Sequence, residues 1–98
     1  MQTPMLTVKI LGSVCANCKK MEVIVRQAIA RLAVEASIIK VTDYNDITAY
    51  NILSIPGLVI NGKLMCAGRV PSQAEVSAWL ANALEAAKSQ PKQTEFSG

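Results

Sequence analysis

The sequence Cys15-Ala16-Asn17-Cys18 lies where an apolar extended run ends and a long helical pattern begins, and it constrains the fold more than any other feature. Two cysteines three residues apart at the start of a helix lie about one turn from each other. This spacing separates their Cα atoms by roughly 5 Å, inside the window of about 4.4–6.8 Å that a disulfide needs. The pair can therefore exist as two thiols or as one small ring without large backbone movement.

Three interpretations of this pair stay open on the spacing alone. A helix N-terminus favours a thiolate on Cys15, because free N–H groups and the helix dipole both point at it, and Lys19 and Lys20 add positive charge nearby. A reversible dithiol is therefore one interpretation. Two buried structural cysteines, or half of a soft-metal site, are the others.

Length and composition indicate one globular domain. The chain has 98 residues, of which 51% are hydrophobic and 17% charged, enough for a single core. We expect a domain over residues 1–88 and a flexible polar tail over residues 89–98. No apolar stretch approaches the ~20 residues of a membrane-spanning helix, and Met1–Pro4 lacks the pattern of a secretory signal. The sequence therefore predicts a cytoplasmic protein with no membrane partner.

The charge pattern argues against nucleic-acid binding. Ten basic and seven acidic residues give a net charge of +3, and no run of Lys or Arg is longer than two. A nucleic-acid surface needs clustered basic residues, so we expect no nucleic-acid partner. The chain contains no histidine, which removes the commonest metal ligand and the usual general base.

The first half of the hydrophobic pattern predicts a βαβ unit. Residues 5–11 are predicted to form a mostly buried strand, residues 16–33 a helix and residues 37–42 a second strand, parallel to the first through a right-handed crossover. Glu22 is assigned to the polar face of this helix. Its apolar face consists of Cys18, Met21, Val25, Ala28, Ile29 and Leu32.

The second half predicts a short helix and a hairpin. Asp43 is a predicted N-cap for a helix that runs to about Leu53. Two apolar runs, 57–61 and 63–67, flank Asn61-Gly62, which is a strong signal for a type I′ turn.

Residues 72–75 read Ser-Gln-Ala-Glu, a capping box that opens the last helix. The element order is therefore β-α-β-α-β-β-α, an α/β fold with one four-stranded mixed sheet in the order 2-1-3-4 and helices on both faces. The buried face of the last helix is predicted to consist of Val76, Trp79, Leu80, Ala83, Leu84 and Ala87.

Four short motifs occur in a fixed order on this pattern: V-C-A-N-C after the first strand, I-P-G opening the third, N-G-K between the hairpin strands, and A-G-R-V before the capping box. In this order, over about residues 6–88, they resemble the small prokaryotic thioredoxin-like, or redox-active disulfide, proteins of the minimal thioredoxin fold. The resemblance implies a thiol-disulfide oxidoreductase that needs no cofactor or metal. It also implies disulfide-containing protein substrates, a thioredoxin-reductase-type electron donor and a monomer.

The resemblance also assigns roles to individual residues. Cys15 matches the exposed attacking cysteine and Cys18 the resolving one. Pro56 matches the proline that is cis in this fold and faces the disulfide. Ile55 matches the residue whose backbone pairs with an extended substrate segment, and Gly68 matches the glycine of the loop beside the site.

Three positions depart from ordinary thioredoxins. Val14 replaces the tryptophan that precedes the motif, at a substrate-contacting position, and Ala16-Asn17 replaces the Gly-Pro between the cysteines. Both changes bear on substrate range and redox potential. Lys9 stands at about the place of a buried strand carboxylate that helps to move the proton during exchange, and we identify no neighbouring acidic residue that replaces it.

Two other functional classes compete with this interpretation. Soft-metal carriers also place C-x-x-C in a loop before a helix, but their order is β-α-β-β-α-β, whereas this chain ends in a helix after a hairpin. A thioredoxin-fold interaction domain with incidental cysteines is the other class, and it needs no activated thiol. The third cysteine, Cys66, is predicted to be a small buried hydrophobe of the second hairpin strand.

Overall fold

The computed structural model describes residues 5–12, 15–52 and 54–89. The strands are β1 (Leu6–Leu11), β2 (Ala36–Val41), β3 (Gly57–Ile60) and β4 (Lys63–Ala67), and the helices are α1 (Ala16–Leu32), α2 (Tyr44–Thr48) and α3 (Gln73–Ser89). They form one sheet in the order β2-β1-β3-β4, with β1 and β2 parallel and the other pairs antiparallel. The predicted element order, strand order and strand directions are confirmed.

Side chains alternate along the central strand β1 and so divide the core into two layers. Leu6, Val8 and Ile10 are at most 2% exposed and lie on the face that α1 and α3 cover. Burial of each such aliphatic side chain contributes about 1.5–3 kcal/mol. The opposite face carries a smaller cluster beneath α2, formed by Leu11, Ile47, Ile52 and Val59.

Helix α1 is fixed to the sheet by apolar residues at helical spacing. Cys18, Met21, Val25 and Ala28 are all buried, as predicted. Leu32 was also predicted on this face, but it is 37% exposed. It is the last residue of the helix, and the chain turns away directly after it because Ala33 is left-handed, with φ 55°.

Helix α2 is shorter than the sequence predicts. Its N-cap is Asp43, as expected, with Oδ1 accepting the Asn45 N–H at 2.8 Å. The helix ends at Thr48 and not near Leu53, which lies outside the described residues. The reason is local: the Asn51 N–H donates to the carbonyl of Thr48 at 2.9 Å, and Asn51 is left-handed with φ 61°. A tightened turn followed by a left-handed residue stops an α-helix.

The strand boundaries move by one residue. The strand predicted over 5–11 begins at Leu6, and Met5 is 62% exposed. The strand predicted over 37–42 runs from Ala36 to Val41, because the parallel register pairs Leu6 with Ala36 and Leu11 with Val41.

The hairpin turn forms as predicted. Asn61 and Gly62 have φ values of 50° and 82°, the positive values that a type I′ turn requires. Asn61 also joins the turn to β1, since its N–H donates to the Thr7 carbonyl and its Oδ1 accepts the Thr7 N–H, both at 2.8 Å.

The sheet register brings three loops to one end of the molecule. Leu11 at the end of β1 pairs with Gly57 at the start of β3, and Gly57 pairs with Ala67 at the end of β4. The segment before α1, the segment before β3 and the segment after β4 therefore lie side by side.

Candidate active site

Cys15 is the N-cap of α1. Its backbone is extended, with φ −111° and ψ 160°, and its Sγ accepts the Cys18 N–H at 3.1 Å. Its carbonyl accepts the Lys19 N–H at 3.1 Å, the first bond of the helix. The first turn of α1 contains no acidic residue. The half-buried sulfur therefore lies at the positive end of a 17-residue helix, where a negative charge on it is stabilised.

Cys18 lies one turn further along and is only 5% exposed. It forms a disulfide with Cys15, and the two Cα atoms are 5.1 Å apart, as the spacing predicts. Cys66 is a free thiol. The two cysteines of the disulfide thus differ in accessibility, because Cys15 is half-buried and Cys18 is almost fully buried.

Gly12 leaves space for the buried sulfur of Cys18. The sequence interpretation did not identify this glycine as a site residue. It has φ +148°, and a Cβ placed on it would lie 2.6 Å from Cys18 Sγ and 3.6 Å from the Cβ of Ile55. Real Cβ atoms do not approach a sulfur that closely, so only glycine leaves room for Cys18 here. A glycine directly after a strand and three residues before the first cysteine was the available sequence signal.

The segment before β3 lies against the same point. The Ile55–Pro56 peptide bond is cis, as the resemblance implies. Pro56 is fully buried, whereas Ile55 is 43% exposed beside Gly12. Ile55 is therefore one of the few large apolar residues left accessible next to the disulfide.

Gly68 holds the loop after β4 against this segment. Its N–H donates to the Pro56 carbonyl at 2.9 Å, and its φ is +81°. A Cβ at this position would lie 2.9 Å from the Cβ of Ser54, so the two loops meet where only glycine fits. The structure thus brings five predicted residues into neighbouring positions: Cys15, Cys18, Ile55, Pro56 and Gly68. Val14 lies outside the described residues.

Lys9 does not lie on the face of Cys18. Its ammonium group donates to the Tyr50 hydroxyl at 3.3 Å, and it shares a cavity with Tyr50 and Asp46 of the α2 layer. The alternation along β1 places Lys9 with Leu11, opposite the face covered by α1.

Cys66 lies apart from the disulfide, on β4 opposite Leu58. It is half-buried, and burial raises the pKa of its thiol, while the positive charge of Arg69 opposes this shift. A thiol with a raised pKa is a poor nucleophile at neutral pH, which agrees with a packing role.

The described part of the chain has neither a cluster of three or more metal-ligating side chains nor a membrane-spanning helix. No group of three or more His, Cys, Asp or Glu side chains there could hold a metal ion. In the same residues, no helix combines the length and apolar character needed to cross a bilayer.

Sequence comparison identifies relatives of this chain. Residues 6–81 match a family model described as a thioredoxin domain. A thioredoxin of Methanothermobacter thermautotrophicus is 33% identical over 72 residues, which is 74% of this chain and 94% of the relative. A thioredoxin of Methanocaldococcus jannaschii is 31% identical over 81 residues, which is 83% of this chain and 93% of the relative.

Solved structures show the same fold at lower identity. The germline-specific thioredoxin Deadhead of Drosophila melanogaster superimposes with a TM-score of 0.58 at 19% identity, over 80% of each chain. The oxidised thioredoxin of Plasmodium falciparum gives 0.56 at 16% identity, over 81% of each chain. Family model, relatives and a disulfide at the start of α1 lead to one conclusion: the chain belongs to the thioredoxin family and is a small thioredoxin-like disulfide oxidoreductase of the prokaryotic type.

Proposed function

We propose that this protein reduces disulfides in partner proteins, with Cys15 as the attacking thiol and Cys18 as the resolving thiol. The observation that supports these roles is the hydrogen bond from the Cys18 N–H to Cys15 Sγ at the start of α1. It places a polarised donor and the helix dipole on the more accessible sulfur. Cys18 is almost fully buried, and its sulfur is bonded to Cys15 Sγ.

The exchange proceeds in two displacements. The Cys15 thiolate attacks one sulfur of the partner disulfide, which breaks that bond, releases one partner thiolate and forms a mixed disulfide. Cys18 then loses its proton and attacks Cys15 Sγ, which releases the second partner thiolate and closes the Cys15–Cys18 bond. Two electrons pass to the partner, whose two thiolates take up protons. A thioredoxin-reductase-type donor must return two electrons, and the exchange itself needs no organic cofactor.

The partner binds across the loops at the end of the sheet. Ile55 is exposed beside the buried Pro56 and offers its backbone to an extended segment of the substrate. Gly68 keeps the adjacent loop close through its bond to the Pro56 carbonyl, and Val14 precedes the attacking cysteine. These four residues form the proposed substrate-binding surface. We assign the protein to the cytoplasm, where a reductase keeps it reduced, and expect it to act as a monomer.

Two serine variants test these roles with dithiothreitol as the electron source and a protein disulfide as the substrate. Cys15→Ser should lose disulfide reduction, because Cys18 is too buried to attack a partner. Cys18→Ser should still attack but should accumulate mixed disulfides through Cys15. Cys66→Ser is the matched control and should retain normal turnover. Stable adducts that form only in the Cys15 variant would reverse the two roles.

Alkylation of the reduced protein near neutral pH gives an independent measurement. Cys15 should react first, because its sulfur is the more accessible and is stabilised as a thiolate. Peptide mapping locates the label. Slow and equal labelling of both cysteines would contradict an activated thiol and favour an interaction domain.

A further inference from the structure

The buried side of the disulfide borders a cleft that has charged side chains in its walls. The cleft has a volume of about 180 Å³, and its walls include Gly12, Cys18, Glu22, Lys40 and Thr42. Lys40 and Thr42 are exposed, so the cleft communicates with solvent. A water molecule occupies about 30 Å³ in the liquid, so the cleft has room for several water molecules.

Glu22 is the carboxylate in this wall. It follows Cys18 by four residues, and residues at this spacing are neighbours on one side of a helix. Its side chain is only 18% exposed, and its oxygens form ion pairs with Lys40 at 3.0 Å and Arg26 at 2.9 Å. Hydrogen bonds from Lys40 and then from Arg26 lower its pKa below the ordinary value. Glu22 is therefore ionised at neutral pH and held in one position.

Resolution requires a proton acceptor near Cys18. The thiol must lose its proton to attack the mixed disulfide, and it lies in a mostly apolar site that disfavours the thiolate. Lys9 is on the other face of the sheet, and Ile10 and Gly12, the neighbours from the β1 side of the cleft, carry no ionisable side chain. Besides Cys18 and Glu22, the cleft has two ionisable residues, Lys19 and Lys40. Both are cations, and a protonated ammonium group cannot accept a proton.

We propose that Glu22 accepts the proton of Cys18, through water in the cleft, when Cys18 attacks the mixed disulfide. This inference rests on the proposed function of the two cysteines. The Cys18 S–H bond breaks as its sulfur bonds to Cys15 Sγ, and the sulfur–sulfur bond to the partner breaks. The proton passes through water to the Glu22 carboxylate and from there to solvent or the departing partner thiolate. Lys40 and Arg26 hold the carboxylate at the cleft.

The direction in which Glu22→Gln changes the rate of resolution distinguishes proton acceptance from a purely electrostatic role of Glu22. A fixed negative charge near a thiol disfavours the thiolate, so loss of the charge alone would make Cys18 easier to ionise and would speed resolution. Loss of a proton acceptor slows resolution instead. The two explanations therefore predict opposite changes for Glu22→Gln.

An aromatic disulfide with a coloured leaving thiolate, 5,5′-dithiobis(2-nitrobenzoate), isolates the step. Its leaving group needs no proton. In a Cys66→Ser background, where the free thiol of Cys66 cannot release colour of its own, the second release of colour therefore reports Cys18 deprotonation and attack. Rapid mixing with the reduced protein should give a first phase from Cys15, and a second phase that Cys18→Ser lacks. In Glu22→Gln the second phase should slow at least about tenfold near pH 6. This factor is smaller than the about 10²–10⁴ that general acid–base catalysis usually contributes. The rate of the first phase should be largely unchanged.

The pH profile and two further variants complete the test. The wild-type second phase should retain a pH-independent component, whereas that of Glu22→Gln should rise about tenfold per pH unit below the thiol pKa. Glu85→Gln, an exposed change on α3, is the matched control and should behave as wild type. Glu22→Asp should keep the pH-independent component, which tests the proposal if Glu22→Gln folds poorly.

The outcomes distinguish failure of the Glu22 proposal from failure of the proposed function. An unchanged or faster second phase in Glu22→Gln overturns the role of Glu22 but leaves the cysteine roles intact. A Glu22→Asp profile identical to that of Glu22→Gln also overturns it. Absence of a rapid first phase in the wild type contradicts the proposed function itself.

Discussion

At the scale of single residues, the site depends on the lack of a Cβ atom at Gly12. Gly12 allows the Cys18 sulfur to lie where a Cβ would be 2.6 Å away, and its φ of +148° belongs to a region that other residues rarely adopt. Gly62 is a useful contrast, because its φ is also positive, +82°, but a Cβ there would meet nothing within 4 Å.

We predict that Gly12→Ala makes the disulfide easier to reduce, whereas Gly62→Ala does not. Both substitutions add backbone strain of order 1–3 kcal/mol, and this strain is largely common to the oxidised and reduced forms. Only Gly12→Ala adds a contact with Cys18 Sγ, which the reduced thiol can relieve by rotating. The reduction potential should rise by about 30 mV, equivalent to about 1.4 kcal/mol. Equilibration with glutathione measures it, and equal potentials in both variants would contradict the steric explanation.

The residues of the site were predictable only where the information is local. The spacing of Cys15 and Cys18 fixes their separation because one helical turn does so. Gly12 matters because it lies close to Cys18, and the proposed role of Glu22 depends on the cleft that it shares with Cys18. Both features depend on how β1, β2 and α1 pack, and a pattern along one helix cannot show this. Glu22 was assigned to a polar face for that reason, although its four-residue spacing from Cys18 was visible.

At the scale of elements, the start of α3 combines a capping box with an ion pair. The Glu75 N–H donates to Ser72 Oγ at 3.1 Å, and the Ser72 N–H donates to Glu75 Oε1 at 2.9 Å, as the sequence predicts. Arg69, in the loop after β4, pairs with the same carboxylate at 3.0 Å. The Arg69 hydrogen bond, and then that of the Ser72 backbone, lower the pKa of Glu75 to about 2.

This arrangement predicts an acid-dependent loss of stability that Glu75→Gln removes. A carboxyl with a depressed pKa in the folded state stabilises the fold fully above its ordinary value of 4.5 and progressively less as the pH falls toward 2. The glutamine can still accept the Ser72 N–H but carries no charge. Urea unfolding from pH 7 to pH 2 should show wild type more stable above pH 5, with the difference shrinking on acidification. A constant difference across this range would contradict the assignment to Glu75 ionisation.

The boundaries of helices and strands were predictable where a local signal marks the start or the end of the element. The capping box starts α3, and Asn61-Gly62 closes the hairpin, because both signals act within four residues. Helix α2 was overestimated since no proline or glycine marks its end. It ends at Thr48, three residues before Asn51, which adopts a left-handed conformation that asparagine tolerates but does not require.

At the scale of the whole molecule, the same sheet forms one side of the larger core and positions the loops of the site. The larger core lies between the sheet and the α1–α3 pair, and it includes Leu58, two residues after Pro56. Leu58 is fully buried on β3, whereas Leu64 on the neighbouring β4 is 37% exposed. The strand that positions the cis-proline segment is thus also among the best packed.

Leu58→Ala should destabilise the whole protein in both redox states, and Leu64→Ala provides the same chemical change at an exposed position. Removal of a fully buried leucine side chain costs about 2–5 kcal/mol, including the cavity it leaves. This is a large share of the about 5–15 kcal/mol expected for a single domain. Leu64→Ala should cost less than about 1 kcal/mol, since much of its side chain stays in water. Denaturant unfolding of oxidised and reduced protein measures both. Similar losses for the two variants would show that β3 is not the centre of the core, and a loss confined to the oxidised form would tie the effect to the disulfide instead of to packing.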